Sequence, residues 1–223
     1  MKQYLLPILA VVFGVIIVIL TKRKNIINTR LLLAFSGAFL LALTLFELLP
    51  EVYHHLDAKQ TGLFIMLGIL IQVTLEFFSK GAEHGHVHYH NNQQFPWAIF
   101  ISLCIHSFLE GFPIHHHNDM VYGILVHKIP IAAVVTGFLL NAHCNKWYVA
   151  LFLIVFASMT PLGTFISNHV AVMADYVDIV NAIVIGIFLH ISTTILFESS
   201  EGHKFNLTKL LTIILGVAIA YFI

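Results

Sequence analysis

The stretch LLLAFSGAFLLALTLFELLP, residues 31–50, is twenty residues long and contains one ionisable side chain, that of Glu47. As a helix rising 1.5 Å per residue, it would match the ~30 Å hydrocarbon core of a bilayer. Similar stretches recur along the chain without the alternating polarity of a membrane β-barrel. The pattern predicts an all-α integral membrane protein, a single domain with eight spans at about 4–20, 31–50, 61–79, 95–114, 120–140, 147–166, 176–197 and 207–223.

The composition indicates that lipid surrounds most of this chain. Hydrophobic residues make up 59% of it and charged residues 10%, whereas soluble domains have about half and about a quarter. The 11 basic and 11 acidic residues cancel, so no net field favours a nucleic acid partner. We therefore expect a lipid bilayer as the surroundings, and the short loops favour a bacterial inner membrane.

The basic residues predict the orientation of the spans, because short loops rich in Lys and Arg remain in the cytoplasm. Eight of the eleven basic residues fall in the odd-numbered connections. The N-terminus and the even-numbered connections hold only Lys2 and Lys59. Both termini are therefore predicted to lie outside, and the connection 80–94 is predicted to lie in the cytoplasm.

Histidine is unusually abundant, with 15 residues, and imidazole is the commonest metal ligand in proteins. The inner connection carries four histidines in alternation, His84, His86, His88 and His90. Such a tract is expected to bind metal weakly, and the alternative is an ordinary solvated loop. The predicted outer connections carry further histidines and aspartates, which would attract cations.

Ionisable side chains inside the predicted spans are few, and each costs at least ~2.5–3.5 kcal/mol at the membrane centre. His106 and Glu110 are four residues apart, hence on one face of the fourth helix, and His127 lies on the fifth. His106 alone would more often be a core histidine bonded to a carbonyl. Because zinc accepts imidazole nitrogen and carboxylate oxygen together, the three residues predict a metal site between helices four and five.

These residues resemble the ZIP (Zrt- and Irt-like) family of metal transporters. The family pattern His-(Asn/Ser)-x-x-(Glu/Asp)-Gly is similar to HSFLEG at 106–111, and His-(Glu/Lys)-x-Pro is similar to HKIP at 127–130. ELLPE at 47–51 and GIFLHISTTILFES at 186–199 are also of the family's type. The resemblance implies eight spans, both termini outside, a His-rich inner connection, and transport of a divalent metal, zinc first among the candidates.

The sequence also departs from the family's pattern. Many members bind two adjacent ions through an Asn on helix four and two acidic or His residues on helix five, whereas here these places are Ser107, Lys128 and Ile131. A lysine ammonium can replace the charge of a second ion by pairing with Glu110, so one bound metal is predicted. Glu47 stands where relatives often have His, and it is predicted to be a fourth ligand or an outer gate.

Further residues are expected beside the ligands or along the transport path: Ser107, Lys128, Glu51, His190 and the histidines of the inner connection, His84, His86, His88 and His90. The expected cargo is Zn²⁺, with Fe²⁺, Mn²⁺, Co²⁺ and Cd²⁺ as competitors, since N/O sites follow metal availability as well as preference. Small residues such as Gly37, Gly68 and Gly216 are compatible with a homodimer.

Two other classes of function remain open from the sequence. An intramembrane metal-dependent hydrolase would use the same three ligands with a bound water as the nucleophile. A histidine-based proton carrier or sensor would need no metal. The chain contains no His-Glu-x-x-His pair, so a carrier is expected and an enzyme is not.

Overall fold

A computed structural model describes residues 1–21, 29–79, 95–114, 119–142, 144–198 and 207–223, and these residues are helical with no strand among them. The inner-loop histidines His84, His86, His88 and His90 lie outside the described residues. The helices, in chain order, are α1 Lys2–Leu20, α2 Thr29–Leu43, α3 Leu49–His55, α4 Ala58–Ser79, α5 Trp97–Leu109, α6 Met120–Asn141, α7 Lys146–His169, α8 Ala171–Ala174, α9 Val177–Glu198 and α10 Leu207–Tyr221.

Seven helical segments of the described chain are long and apolar enough to cross a membrane: Lys2–Leu20, Leu31–His55, Ala58–Ser79, Trp97–Ile114, Met120–Asn141, Lys146–His169 and Val177–Phe197. The predicted all-α membrane class is confirmed, and the chain is a multi-pass integral membrane protein. The predicted eighth span corresponds to α10, which is apolar but has 15 residues. That length gives about 22 Å of helix, less than the hydrocarbon core, so an eighth span and the side of each terminus stay predictions.

The helices pack in two groups, each around its own apolar cluster. In the first group, α1, α5, α6 and α7 bury side chains such as Leu103, Ile131 and Phe152. In the second, α2, α3, α4, α9 and α10 surround a cluster that includes Phe188, and the N-terminal part of α6 adds Ile124 to this cluster. The most extensive contacts between the groups are those of α2 with α6 and of α4 with α5. The molecule therefore has an internal boundary along α2 and α6.

Glycine lets the helix backbones touch within each group. A Cβ atom at Gly163 of α7 would lie 2.1 Å from the carbonyl oxygen of Phe108, and one at Gly111 would lie 2.2 Å from that of Thr160. Since real Cβ atoms do not approach so closely, α5 and α7 meet at these positions through glycine alone. This contact fixes the end of α5, where the candidate site lies.

Two irregular turns replace the continuous helices expected from the sequence. The predicted span 95–114 is α-helical only to Leu109, and Phe112–Ile114 forms a 3₁₀ turn, because Pro113 has no N–H to continue the ladder. Before α3, Thr44–Leu48 forms a π-helical turn in which the N–H of Leu49 donates to the carbonyl of Thr44. Single π-turns inside helices are frequent at functional sites.

Candidate metal site

The site lies where α5 ends beside the middle of α6. His106 is on the last turn of α5, Glu110 follows that helix directly, and His127 and Lys128 are adjacent on α6. Each of these four side chains is at most 1% exposed. Charged groups buried this deeply need partners, so their arrangement indicates a built polar centre.

His106, Glu110 and His127 form one compact group. Each offers a ligand atom, and these atoms all lie within 4.8 Å of one another. Nε2 of His106 is 3.4 Å from Oε2 of Glu110, and the two imidazole rings stand nearly perpendicular with centroids 6.1 Å apart. Tetrahedral zinc ligands at ~2.1 Å from the ion are about 3.4 Å from each other. The group can therefore accept such an ion with small side-chain rotations.

Lys128 occupies the other side of Glu110. Its ammonium donates to Oε1 of Glu110, and to the hydroxyl oxygens of Ser107 and Thr160 at 2.6 Å each. The ring of Phe156 lies 4.6 Å from Nζ. Because an ammonium has three N–H donors, these three oxygens satisfy all of them. The pairing of Lys128 with Glu110 that the sequence suggested is thus present, within a hydrogen-bonded cage.

Thr160 of α7 is the member of this cage that sequence analysis missed. Its hydroxyl oxygen accepts from Lys128 and lies 2.7 Å from Oε1 of Glu110 and 2.9 Å from the carbonyl of Ser107. The hydroxyl of Ser107 lies 3.2 Å from the carbonyl oxygen of Phe156, to which it can donate. The only sequence signal was a polar residue beside Pro161 in an apolar span, and no spacing connects it to α5.

The remaining predicted site residues lie elsewhere. Glu47 is exposed on the π-helical turn and does not join the three-residue group, and Glu51 is half-buried one turn further along, on α3. His190 of α9 places Nε2 2.5 Å from Oε2 of Glu76 on α4, within the second helix group. The structure therefore brings together three of the four predicted ligands, along with Ser107 and Lys128.

A family of known sequences shares this part of the chain. The sequence model described as ZIP Zinc transporter matches residues 79–223, from the end of α4 through α10 and therefore across every residue of the buried group. The chain belongs to the ZIP zinc transporter family. The family resemblance drawn from the motifs on α5 and α6 is thus confirmed.

Two curated relatives are similar to this ZIP family member over parts of their length. The protein named Zinc transporter ZIP1 from Danio rerio is 33% identical over 88 residues, which are 36% of this chain and 29% of the relative. The protein of the same name from Plasmodium falciparum (isolate 3D7) is 34% identical over 135 residues, 55% of this chain and 37% of the relative. The chain thus spans about a third of the length of these relatives.

Proposed function

We propose that this protein carries a divalent transition metal, with zinc first among the candidates, across the membrane toward the cytoplasm. The observation that carries the proposal is the buried group of His106, Glu110 and His127, whose ligand atoms lie within 4.8 Å of one another. Membership of the ZIP family and the names of the two relatives support zinc as the cargo. Iron, manganese, cobalt and cadmium are competitors at the same N/O ligands.

One ion, rather than two, is bound at a time. Oε1 of Glu110 already accepts from Lys128, which leaves Oε2 for the metal beside His106. The ammonium supplies one positive charge where a second cation would otherwise be required. Binding weakens in acid, because imidazole must be deprotonated to hold a metal and its ordinary pKa is about 6.5.

Glu47 serves the outer approach to the site. It is exposed at membrane depth on the π-helical turn, where a carboxylate facing lipid would be costly, so a wet entry is its most favourable surrounding. Glu51 and His55 follow at intervals of four residues, and Nδ1 of His55 lies 3.1 Å from Oδ1 of Asp178. These residues form a polar stripe toward the predicted outer end of α3, along which a hydrated cation can approach.

Transport requires the site to open to each face in turn, and the two helix groups provide the moving parts. The ligands lie at the end of α5 and on α6, in the first group, while the outer stripe lies on the π-helical turn, α3 and α9, in the second. A displacement of one group along the α2–α6 boundary would change which face reaches the ligands, as in other secondary carriers. The metal ion is then released on the side of the predicted His-rich inner loop.

A metal-dependent hydrolase is a less favoured function for the same three residues. A metal-dependent hydrolase needs a carboxylate free to act as general base beside the metal-bound water. Within the described residues, the group holds one carboxylate, and its second oxygen is engaged by Lys128 and Thr160. The polar centre is thus arranged to bind an ion and lacks a spare base for chemistry.

The test is uptake of zinc into proteoliposomes by the parent and by His106→Ala and Glu110→Ala. We expect both variants to lose transport at least tenfold, because each removes one of three ligands. Thr74→Ala is the control, since that hydroxyl is exposed, bonds the carbonyl of Leu70 within α4 and should leave uptake unchanged when removed. If both site variants took up zinc like the parent, His106 and Glu110 would not have the proposed roles as ligands. Proton flux in the absence of metal would favour a proton carrier.

The proposal also includes a membrane location and an oligomeric state, and each needs its own measurement. A bacterial inner membrane is the proposed location, to be tested by fractionating cells that express the chain. A homodimer is the proposed assembly, to be tested by light scattering of the purified protein. Competition of several divalent metals against labelled zinc in the uptake assay would rank the cargo.

A further inference from the structure

An apolar groove runs along the membrane-facing surface of the first helix group. It lies between α1 and α7, with residues of α6 also in its lining, and its volume is about 550 Å³. Its lining includes Ile16 and Ile19 of α1 and Ala150 and Ile154 of α7. This volume falls within the ~300–1,000 Å³ typical of ligand clefts, so the groove can hold a molecule.

The groove has the depth of one lipid leaflet. Its lining on α1 runs from Ile8 to Ile19, and on α7 from Lys146 to Ser158. At 1.5 Å of rise per residue these intervals measure about 16 and 18 Å, close to half of the ~30 Å hydrocarbon core. A single acyl chain descending from one membrane face would fill such a groove.

Small side chains on α7 create the hollow. Ala150 and Ala157 line it at positions two turns apart, where a larger residue would fill the space between the helices. Thr136 of α6 is a further lining residue, and its hydroxyl is buried with no hydrogen-bond partner among the described residues. The rest of the lining is aliphatic apart from Lys146 and Ser158.

A positive charge stands at one end of the groove. Lys146 is exposed, lines the groove, and is the first residue of α7, a helix of 24 residues. The N-terminal end of a helix carries a partial positive charge that adds to that of the ammonium. Trp147 and Tyr148 follow and are 82% and 53% exposed, as expected for aromatic residues at the level of lipid headgroups.

We propose that this groove is a binding site for an anionic phospholipid, with one acyl chain between α1 and α7 and the phosphate at Lys146. The charge at the mouth, the apolar wall and the depth of one leaflet all fit this ligand, and basic sites between membrane helices are known to bind anionic headgroups. The lipid connects α1 to α7 on the membrane-facing surface of the first helix group, which also contains the candidate metal site. The proposal does not depend on metal transport.

The test uses the full chain in neutral detergent, with native mass spectrometry after addition of phosphatidylglycerol or of phosphatidylcholine with the same acyl chains. The parent is expected to retain one phosphatidylglycerol and to prefer it over phosphatidylcholine. Lys146→Ala should reduce that preference roughly fivefold. Ala150→Phe should fill the groove and remove binding of both lipids, and Lys59→Ala, which changes an exposed lysine of α4, should bind like the parent.

Several results would overturn the proposal. Equal binding of the two lipids, or an unchanged preference in Lys146→Ala, would exclude a phosphate at this lysine. Retention of lipid by folded Ala150→Phe would place the lipid elsewhere, and Ile154→Trp, at a site 67% exposed, replaces that variant if it fails to fold. A lipid-free parent that light scattering finds dimeric, and that Ala150→Phe makes monomeric, would assign the groove to a second copy of the chain.

Discussion

At the scale of single residues, the two oxygens of Glu110 have different neighbours. Oε1 accepts from Lys128, while Oε2 lies 3.4 Å from Nε2 of His106 on the side of the imidazoles. A carboxylate in water could chelate one ion with both oxygens, but here the cage around the ammonium holds one of them. In the proposed function, Lys128 is therefore predicted to limit this group to one metal ion.

Replacing that lysine by an acid should change the stoichiometry of binding. We expect the parent to bind one zinc ion per chain and Lys128→Asp to bind up to two, because the variant removes the ammonium and adds a carboxylate beside Glu110. Metal analysis after removal of free zinc gives the count. Lys59→Asp, at an exposed position, controls for added negative charge and should bind one. Two ions in the parent would contradict the role assigned to Lys128.

Thr160→Val tests the hydroxyl that sequence analysis missed. The change keeps the shape of the side chain but leaves a buried ammonium and carboxylate each with one partner fewer. We expect a loss of about 1–3 kcal/mol in unfolding free energy, together with weaker zinc binding. Thr212→Val is the matched control, because its hydroxyl is exposed and bonds only within α10. Equal stability of the two variants would mean that Thr160 contributes nothing to the cage.

The sequence could identify the members of the buried three-residue group but could not identify the residues that support them. His106 and Glu110 were predictable because helical spacing places them on one face, and His127 because an imidazole is rare at membrane depth. Thr160 gave no such signal, since threonines in helices commonly bond the carbonyl four residues earlier, as Thr193 does here. Its contact with Glu110 depends on how α5 packs against α7, which local spacing does not encode.

At the scale of helices, seven of the eight predicted spans correspond to helices long enough to cross a membrane, but several of their ends differ from the prediction. Hydropathy measures length and polarity, so it places a helix within a few residues but does not show that α5 stops at Leu109. The stop depends on Gly111, which touches the backbone of α7, and on Pro113. The π-helical turn was likewise unpredicted, because proline at position 50 indicates a disturbed ladder without indicating its form.

A single methyl group at Gly163 should disturb the α5–α7 contact. The added Cβ would meet the carbonyl oxygen of Phe108 at 2.1 Å, so the helices must separate and shift the end of α5 that carries Glu110. We expect Gly163→Ala to lower the yield of folded protein and to weaken zinc binding. Gly137→Ala, where a Cβ meets nothing within 4 Å, should be neutral or more stable by up to ~1 kcal/mol. Thermal unfolding and zinc titration of both variants decide the matter.

At the scale of the whole molecule, the helix contact across the α2–α6 boundary differs from the contacts within a group. Gly163 and Gly111 meet backbone atoms of the same group, whereas a Cβ at Gly123 of α6 would meet the side-chain atom Cδ1 of Leu43 on α2 at 2.8 Å. Backbone contacts lock helices together, while side chains can exchange rotamers as two surfaces slide. The proposed displacement of the groups would thus meet adaptable side chains, and not backbone, at this α2–α6 contact.

Joining the two groups covalently should therefore stop transport. In a background lacking the free cysteines Cys104 and Cys144, Leu43→Cys with Gly123→Cys, linked by a short bis-methanethiosulfonate reagent that a reductant cleaves, would bridge α2 and α6. We expect zinc uptake to fall at least tenfold on linking and to return on cleavage, while zinc binding persists. The control pair, Gly37→Cys with Ile195→Cys, bridges α2 and α9 within one group.

The same cleavable reagent links this control pair, because a Cβ at Gly37 would lie 3.3 Å from Cβ of Ile195, which is closer than the ~3.5–4.5 Å of a disulfide and within the reach of a short linker. Since α2 and α9 move together in the proposed mechanism, linking them should leave uptake close to that of the unlinked protein. Full uptake by the protein linked across α2 and α6 would show that the ion crosses without displacement of the groups. Equal loss from both links would instead indicate that transport needs flexibility inside the second group, and that the boundary lies elsewhere.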